Sequence, residues 1–290
     1  KNVNPAAIAA RPIAEPAPPA LDRPWNVLVT GIGGTGVITI GNLLGMAAHL
    51  EGKGVCVLDM AGLAQKGGAV TSHIQIADQP SGILSTRVAT ANASLLLGCD
   101  AIVSTSPDVL ERLQAGRTQA VINDTPAPTA EIIHNAAWRF PTRQTQERLR
   151  EAVGEHCEFI NASALALALL GDTIYANPLI LGYAWQKGWI PLEGDSLRRA
   201  IQLNGTMVEK NMAAFEWGRR AAHEGANTLM PAPAKVLAMP ETLDQIIERN
   251  VQWLTDYQNA AYAGRYRRVI EALRNKEGSM LAADAPDSAD

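Results

Sequence analysis

Apolar positions along the chain fall into short runs separated by stretches with helical periodicity. Residues 25–30 (WNVLVT), 55–59 (VCVLD), 71–77 (TSHIQIA), 101–104 (AIVS), 119–123 (QAVIN) and 158–161 (EFIN) read as strands. A helix is expected over 37–50, and an Ala/Leu-rich helix follows the last strand through Leu170. Residues 174–187 are helical around Pro178, with Gly188 as the stop. A further helix starts at Asp195 or Ser196. Leu197, Ile201, Val208, Met212 and Phe215 keep one apolar face on it, and Gly218 stands where a C-cap glycine belongs. Strands and helices alternating at this spacing predict an α/β fold: a doubly wound, Rossmann-like, mostly parallel sheet with C-terminal helices.

The flanks have a different pattern. Of the first 24 residues 13 are Pro or Ala, which removes amide donors and periodicity and predicts a semi-rigid extended linker. The stretch has no continuous apolar core, so it is not a signal peptide. Around residues 229–240 the chain turns Pro-rich again. Thr242 and Gln245 then form a capping-box pattern ahead of a helix carrying Leu243, Ile247, Val251, Leu254, Ala261 and Leu273. Its Trp253, Tyr257, Tyr262, Tyr266 and arginines 265, 267 and 268 are placed to pack against or rim a neighbouring domain. The expected organisation is a linker (1–24), an α/β domain (25–220), a linker (221–240), a helical segment of a further domain or interface (241–278), and a small, acidic, disordered tail (279–290).

Composition narrows the function classes. The chain has 290 residues, 25 basic and 29 acidic side chains, and a formal net charge of −4, which gives no basic excess for nucleic acid. No apolar run is long enough to span a bilayer. Cys56, Cys99 and Cys157 lie far apart with no CxxC pair, which excludes a cluster or Cys-type zinc site held by this chain alone. The five histidines (49, 73, 134, 156, 223) lack metal-ligand spacing. A cytoplasmic protein is expected.

Two glycine loops carry the candidate chemistry. Gly31-Ile-Gly33-Gly34-Thr35-Gly36 satisfies GxGxxG between a strand and a helix, where backbone amides can meet a phosphate. Asp59 closes the next strand 23 residues beyond Gly36, near the place of a ribose-binding acid. Gly41, Gly45 and Ala48 extend a small-residue stripe along the helix, so a ligand cradle and simple close packing both stand open. The second loop, residues 60–73, holds Gln65, Lys66, Gly67 and Gly68. Its adjacent glycines beside one cation suit a phosphate or carboxylate, or else a plain surface turn. No catalytic constellation emerges: there is no GxSxG elbow and no clustered carboxylate pair. The GDG signature of thiamine diphosphate sites is also missing, since Gly171-Asp172 and Gly194-Asp195 lack the second glycine. His73 reads as a hydrogen-bonded strand histidine rather than a general base.

At these loops the sequence resembles the gamma-type domain of the 2-oxoacid:ferredoxin oxidoreductases, specifically the indolepyruvate type in its large fused form. The resemblance rests on residues 31–37, on 62–73 with Lys66 where arginine is common, and on 208–218. Asn177-Pro178 through Gly182 and Ser106-Pro107-Asp108 also fit. Lysine there keeps the charge but loses the bidentate fork. The resemblance spans about residues 25–220. It implies oxidative decarboxylation of an aryl 2-oxoacid, with coenzyme A accepting the acyl group and ferredoxin the electrons. It also implies thiamine diphosphate, Mg2+ and 4Fe–4S clusters in the whole enzyme, none of them bound by this segment alone. Thiamine-binding and iron–sulfur domains or subunits are the implied partners, and ferredoxin is reached through the complex. Neither nucleic acid nor membrane is expected as a partner. The cofactor-facing residues on this view are Gly33, Gly34, Thr35, Gly36, Gln65, Lys66, Gly67 and Gly68, with no catalytic residue. Two other readings stay open: an NAD(P)-binding Rossmann oxidoreductase resting on GxGxxG and Asp59, and a purely architectural domain.

Overall fold

A computed structural model describes residues 12–62, 68–126, 141–230 and 242–283. Its six strands are β1 (Trp25–Ile32), β2 (Gly54–Ala61), β3 (Ala69–Ala77), β4 (Leu95–Gly98), β5 (Gln119–Asn123) and β6 (Cys157–Ile160). The helices are α1 (Val37–Leu50), α2 (Ala101–Ser104), α3 (Pro107–Leu110), α4 (Thr142–Val153), α5 (Ala162–Leu170), α6 (Ala176–Gln186), α7 (Gly194–Asn204), α8 (Val208–Glu224) and α9 (Ala226–Leu229), followed by α10 (Leu243–Tyr257) and α11 (Ala260–Ala283). Two compact units result, Lys1–Pro231 and Ala232–Asp290.

The six strands lie in the order β2-β3-β1-β4-β5-β6. The pairs β1/β4, β4/β5 and β5/β6 are parallel, whereas β3 runs antiparallel to both β1 and β2. The sheet is therefore mixed and mostly parallel. Strand alternation sends Val27, Val29, Leu95, Leu97 and Val121 into one apolar core together with residues of α1 and α6–α8. Leu28, Leu96, Ala120 and Ile122 enter a second core with Leu149 and Val153 of α4 on the opposite face. Burial on both faces is why these strands read as unbroken apolar runs.

Several expected elements are corrected. The run 101–104 is a helical turn, not a strand. The fourth strand is Leu95–Gly98, and Asp100 caps the turn by accepting from the Ile102 and Val103 amides at 2.8 and 2.9 Å. The helix expected to run from Asp195 to Gly218 is two helices. Gly205 (φ 70°) ends α7 in a left-handed cap, and Met207 (φ 43°) precedes α8. Gly218 is no cap; it lies inside α8, which ends at Gly225. The single helix expected after Thr242 breaks at Gln258, and the Asn259 carboxamide accepts the Tyr262 amide at 2.9 Å to start α11. The Thr242–Gln245 capping box is present, and α11 continues to Ala283, past the point where a tail was expected.

The described part of the Pro/Ala stretch is docked rather than free. The Ile13 and Ala14 carbonyls accept from Arg219 (3.1 Å) and Gln186 (2.8 Å), and Glu15 pairs with Arg198 at 2.7 Å. Leu21 packs on the larger core, and the Trp25 indole donates to the Trp189 carbonyl. Net hydrogen bonds are worth about 1 kcal/mol each and the half-buried Leu21 a similar amount. Deleting residues 1–21 is therefore expected to lower stability by about 2–3 kcal/mol. Urea denaturation of the truncated and full chains measures it, and equal midpoints would show the strap to be idle.

Candidate ligand-binding crevice

The chain leaves β1 toward β2 on one side and leaves β4 toward β5 and β6 on the other. The carboxyl ends of β1 and β4 therefore flank a topological switch point, the place where open α/β sheets bind ligands. The glycine motif sits there, and its glycines divide by role. A Cβ on Gly31 would lie 2.7 Å from Val37 Cγ2 and 2.9 Å from Cys99 Cβ, so this glycine serves packing. Gly41 and Gly45 do likewise, bringing α1 down onto Ser72 and Val57. Gly33 donates its amide to the Gly68 carbonyl at 2.7 Å, tying the two glycine loops together. Gly34 (φ 88°) and Gly36 (φ 92°) are left-handed, and nothing stands within 4 Å of a Cβ on Gly34. Close packing thus accounts for Gly31, Gly41 and Gly45, whereas Gly34 and Gly36 face the open crevice.

The turn is pinned from inside. Thr35 hydroxyl donates to the Ile32 carbonyl at 2.7 Å, and the carboxamide of buried Asn177 donates to the Thr35 carbonyl at 2.5 Å. Helix α1 then starts at Gly36 with no side-chain cap and no acidic residue in its first turn. Gly36, Thr39 and Ile40 of this helix start line the crevice, and the first amides of a helix have no partner within it.

Two cavities meet at the turn, sharing Gly34, Thr35, Ile174 and Asn177. The first, about 340 Å³, adds Gly36, Tyr175, Asn204 and Asn211; the Lys210 ammonium sits 5.4 Å over the ring of Tyr175. The second, about 400 Å³, adds Cys99, Asp100, Asn123 and Ser163. Asn123 is held by Ser163 (2.9 Å) and the Cys99 carbonyl (3.2 Å). One oxygen of Asp100 caps α2, while the other is buried, with the Ile32 amide near the carboxyl. Burial pushes this carboxyl above the usual carboxylate range, with the amides of Val103, Ile102 and Ile32 pulling the other way. An acidic side chain thus lines the second cavity, and none lines the first.

Of the residues singled out from sequence, Gly33, Gly34, Thr35, Gly36 and Gly68 converge here. Gln65, Lys66 and Gly67 lie outside the described residues. Asp59 does not converge. Strand β3 intervenes between β1 and β2, so Asp59 stands two strand spacings, about 10 Å, from β1. It accepts instead from the Ser72 hydroxyl of β3. A ribose acid needs the adjacent strand, and this geometry removes the second half of the dinucleotide fingerprint. His73 is buried elsewhere. Its Nδ1 accepts the Val88 amide at 3.2 Å, and burial lowers its pKa to about 4, so it stays neutral. Asp100, Asn123, Ser163 and Lys210 were missed. The signal for Asp100 was present: an apolar run ending at Gly98, then an N-cap residue.

The three cysteines do not fit a cluster. Cys56 is on β2, Cys157 starts β6, and Cys99 follows the far end of β4. Burial raises the thiols of Cys99 and Cys157, the latter to about 12. Among the described residues no group of His, Cys, Asp and Glu could hold a metal ion, and no helix is long and apolar enough to cross a membrane.

A doubly wound, mostly parallel sheet with a glycine turn and two cavities at its switch point defines a Rossmann-like α/β domain. More particularly, the chain belongs to the pyruvate ferredoxin/flavodoxin oxidoreductase family, whose model matches residues 26–221. It is part of a 2-oxoacid:ferredoxin oxidoreductase complex. The indolepyruvate oxidoreductase subunit IorB of Pyrococcus horikoshii is 28% identical over 209 residues, covering 71% of this chain and 99% of that protein. The pyruvate/ketoisovalerate oxidoreductases common subunit gamma of Thermococcus kodakarensis is 29% identical over 188 residues, covering 64% and 90%. Among solved structures, 2-oxoglutarate:ferredoxin oxidoreductase from Magnetococcus marinus, with 2-oxoglutarate, coenzyme A and succinyl-CoA bound, aligns at TM-score 0.52 and 14% identity. That match covers 70% of this chain and 32% of the other, a likeness of fold alone. Residues 243–287 match a family of unknown function.

Proposed function

We propose that this chain is the gamma-type component of an indolepyruvate-type 2-oxoacid:ferredoxin oxidoreductase and that its crevice holds coenzyme A. The enzyme would convert an aryl 2-oxoacid to acyl-coenzyme A and carbon dioxide, with electrons passed to ferredoxin. Thiamine diphosphate with Mg2+ supplies the decarboxylation chemistry and 4Fe–4S clusters the electron path; both belong to other domains or subunits, because the donors here do not fit them. The similarity to IorB along nearly its whole length supports the indolepyruvate type.

The observation that carries the coenzyme A reading is the pair of unlike cavities joined at the glycine turn. A long ligand with charged phosphates at one end and amides along its arm needs both environments. The phosphates belong beside Gly34, Gly36 and the α1 amides. The neutral arm, whose amide and hydroxyl groups donate, belongs beside the buried second oxygen of Asp100. The chain's own part is to bind, orient and shield from water; Lys66 would add a cation to the phosphate end.

Calorimetric titration of the full chain with coenzyme A is expected to show saturable one-to-one binding, and titration with NADH none. Binding of NADH in place of coenzyme A would return the crevice to a dinucleotide reading. Absence of heat with coenzyme A, for the chain and for the assembled enzyme, would leave a purely architectural domain.

A further inference from the structure

The opposite pole of the sheet, where β1 and β5 begin and β3 ends, carries a separate polar cavity of about 260 Å³. Arg23 and Arg117 line it together with Asn26, Gln75, Ser85 and Asn92. Its floor is held in place from within. Asn26 donates to the Asn92 carbonyl at 2.9 Å, Gln75 donates to the Ser85 hydroxyl at 3.0 Å and the Arg87 carbonyl at 3.1 Å, and Arg117 donates to the Asn92 carboxamide oxygen at 2.6 Å.

Arg23 is exposed, whereas Arg117 is half-buried and stands apart in this chain. The other described arginines that are half-buried or buried have a carboxylate: Arg112 has Asp108, Arg198 has Glu15 and Glu216, Arg219 has Glu216 and Arg220 has Glu224. Among the described residues neither Arg23 nor Arg117 has one, although the chain is acidic overall. The Nε–H of Arg117 is buried with no acceptor. Burial lowers the Arg117 pKa, and the nearby charge of Arg23 lowers it further. Two like charges converging on a concave surface focus a positive potential and select an oxygen anion that can take the guanidinium fork.

We propose that this pole is an oxyanion-binding site, distinct from the crevice, in which Arg23 and Arg117 clasp a carboxylate or phosphate group. Leu84, 90% exposed, stands at its rim and gives an apolar contact for the group that carries the anion. The anion comes either from a small molecule in solution or from an acidic side chain of another subunit of the complex. The site lies at the opposite pole of the sheet from the glycine turn and shares no lining residue with the crevice.

The test compares the full chain with Arg23→Gln, Arg117→Gln and the double variant at constant ionic strength. Inorganic phosphate and glutarate are titrated against chloride, followed by thermal melting and by the NMR signal of the Arg117 Nε–H. A solution source predicts a rise in Tm and a saturable shift of that signal, with affinity at least about tenfold weaker in the double variant. A subunit source predicts no response to either free anion, but at least about tenfold weaker assembly of the double variant with its partner subunits. Arg23→Gln separates binding from packing, because it removes a repulsion: Tm without added anion stays level or rises while binding or assembly weakens. If anion response and assembly are both unchanged in the double variant, the proposal is overturned.

Discussion

Gly218→Ala is expected to destabilise the chain by about 2–4 kcal/mol. Helices α6 and α8 cross with their backbones in contact. A Cβ on Gly218 would lie 1.9 Å from the Leu179 carbonyl oxygen and 2.8 Å from the Tyr183 amide nitrogen. The contact is reciprocal, since a Cβ on Gly182 would lie 2.0 Å from the Phe215 carbonyl oxygen. No rotamer can relieve a clash between backbones, so the helices must move apart. Separation would loosen Trp185 against Phe215, whose rings are 5.6 Å apart, and the Arg219 guanidinium 4.9 Å over the Trp185 ring. Helix propensity acts in the other direction, by about 1 kcal/mol in favour of alanine. Gly264→Ala isolates that contribution: this glycine is helical with nothing within 4 Å of its missing Cβ, so the substitution should stabilise by about 0.5–1 kcal/mol. Urea denaturation measures both. A Gly218→Ala chain as stable as the parent would refute the close crossing.

The second large effect is functional. Asn177→Ala is expected to raise the KM for coenzyme A about ten- to hundredfold in the assembled enzyme, with kcat at saturating coenzyme A changed far less. Asn177 is 5% exposed and lines both cavities, and its one described hydrogen bond runs to the Thr35 carbonyl. Removing it leaves that carbonyl without its donor, a loss of about 1–3 kcal/mol. The loss falls on the turn that presents the Gly34 and Gly36 amides. Asn177→Asp should be worse than alanine, because it sets a carboxylate against a carbonyl and beside the ligand phosphates. Steady-state rates over a coenzyme A series decide it; an unchanged KM would show that the turn is held by other means.

Much of the architecture was legible along the chain, because strands buried on both faces must be apolar throughout and helices packed on one side must be periodic. Residues 25–30, 55–59, 71–77, 119–123 and 158–161 all lie on or within one residue of observed strands. The errors share a cause. Residues 101–104 are as apolar as a strand, and only the Asp100 cap, which acts after the chain has turned, makes them helical. Gly218 resembles a helix stop by position, yet its missing side chain answers to a helix more than thirty residues away. Asn204-Gly205 was the true stop and was readable as such.

The candidate site divides the same way. The glycine motif, its strand and its helix are local, and the spacing of six residues is enough to place amides at a helix start. Which glycines pack and which face the crevice depends on Val37, Cys99 and Gly68 arriving from elsewhere. Asp59 looked like a cofactor ligand because spacing cannot register that a later strand inserts between two earlier ones. Thus the chain by itself determined a wound α/β domain with a phosphate-suited turn. Tertiary structure alone decided that β3 separates Asp59 from that turn, that Asp100 and Asn177 join it, and that Arg23 and Arg117 line one cavity with no carboxylate partner among the described residues. Local pattern follows from backbone sterics and burial within a few residues, whereas charge and polar pairing depend on through-space distances that only the assembled sheet sets.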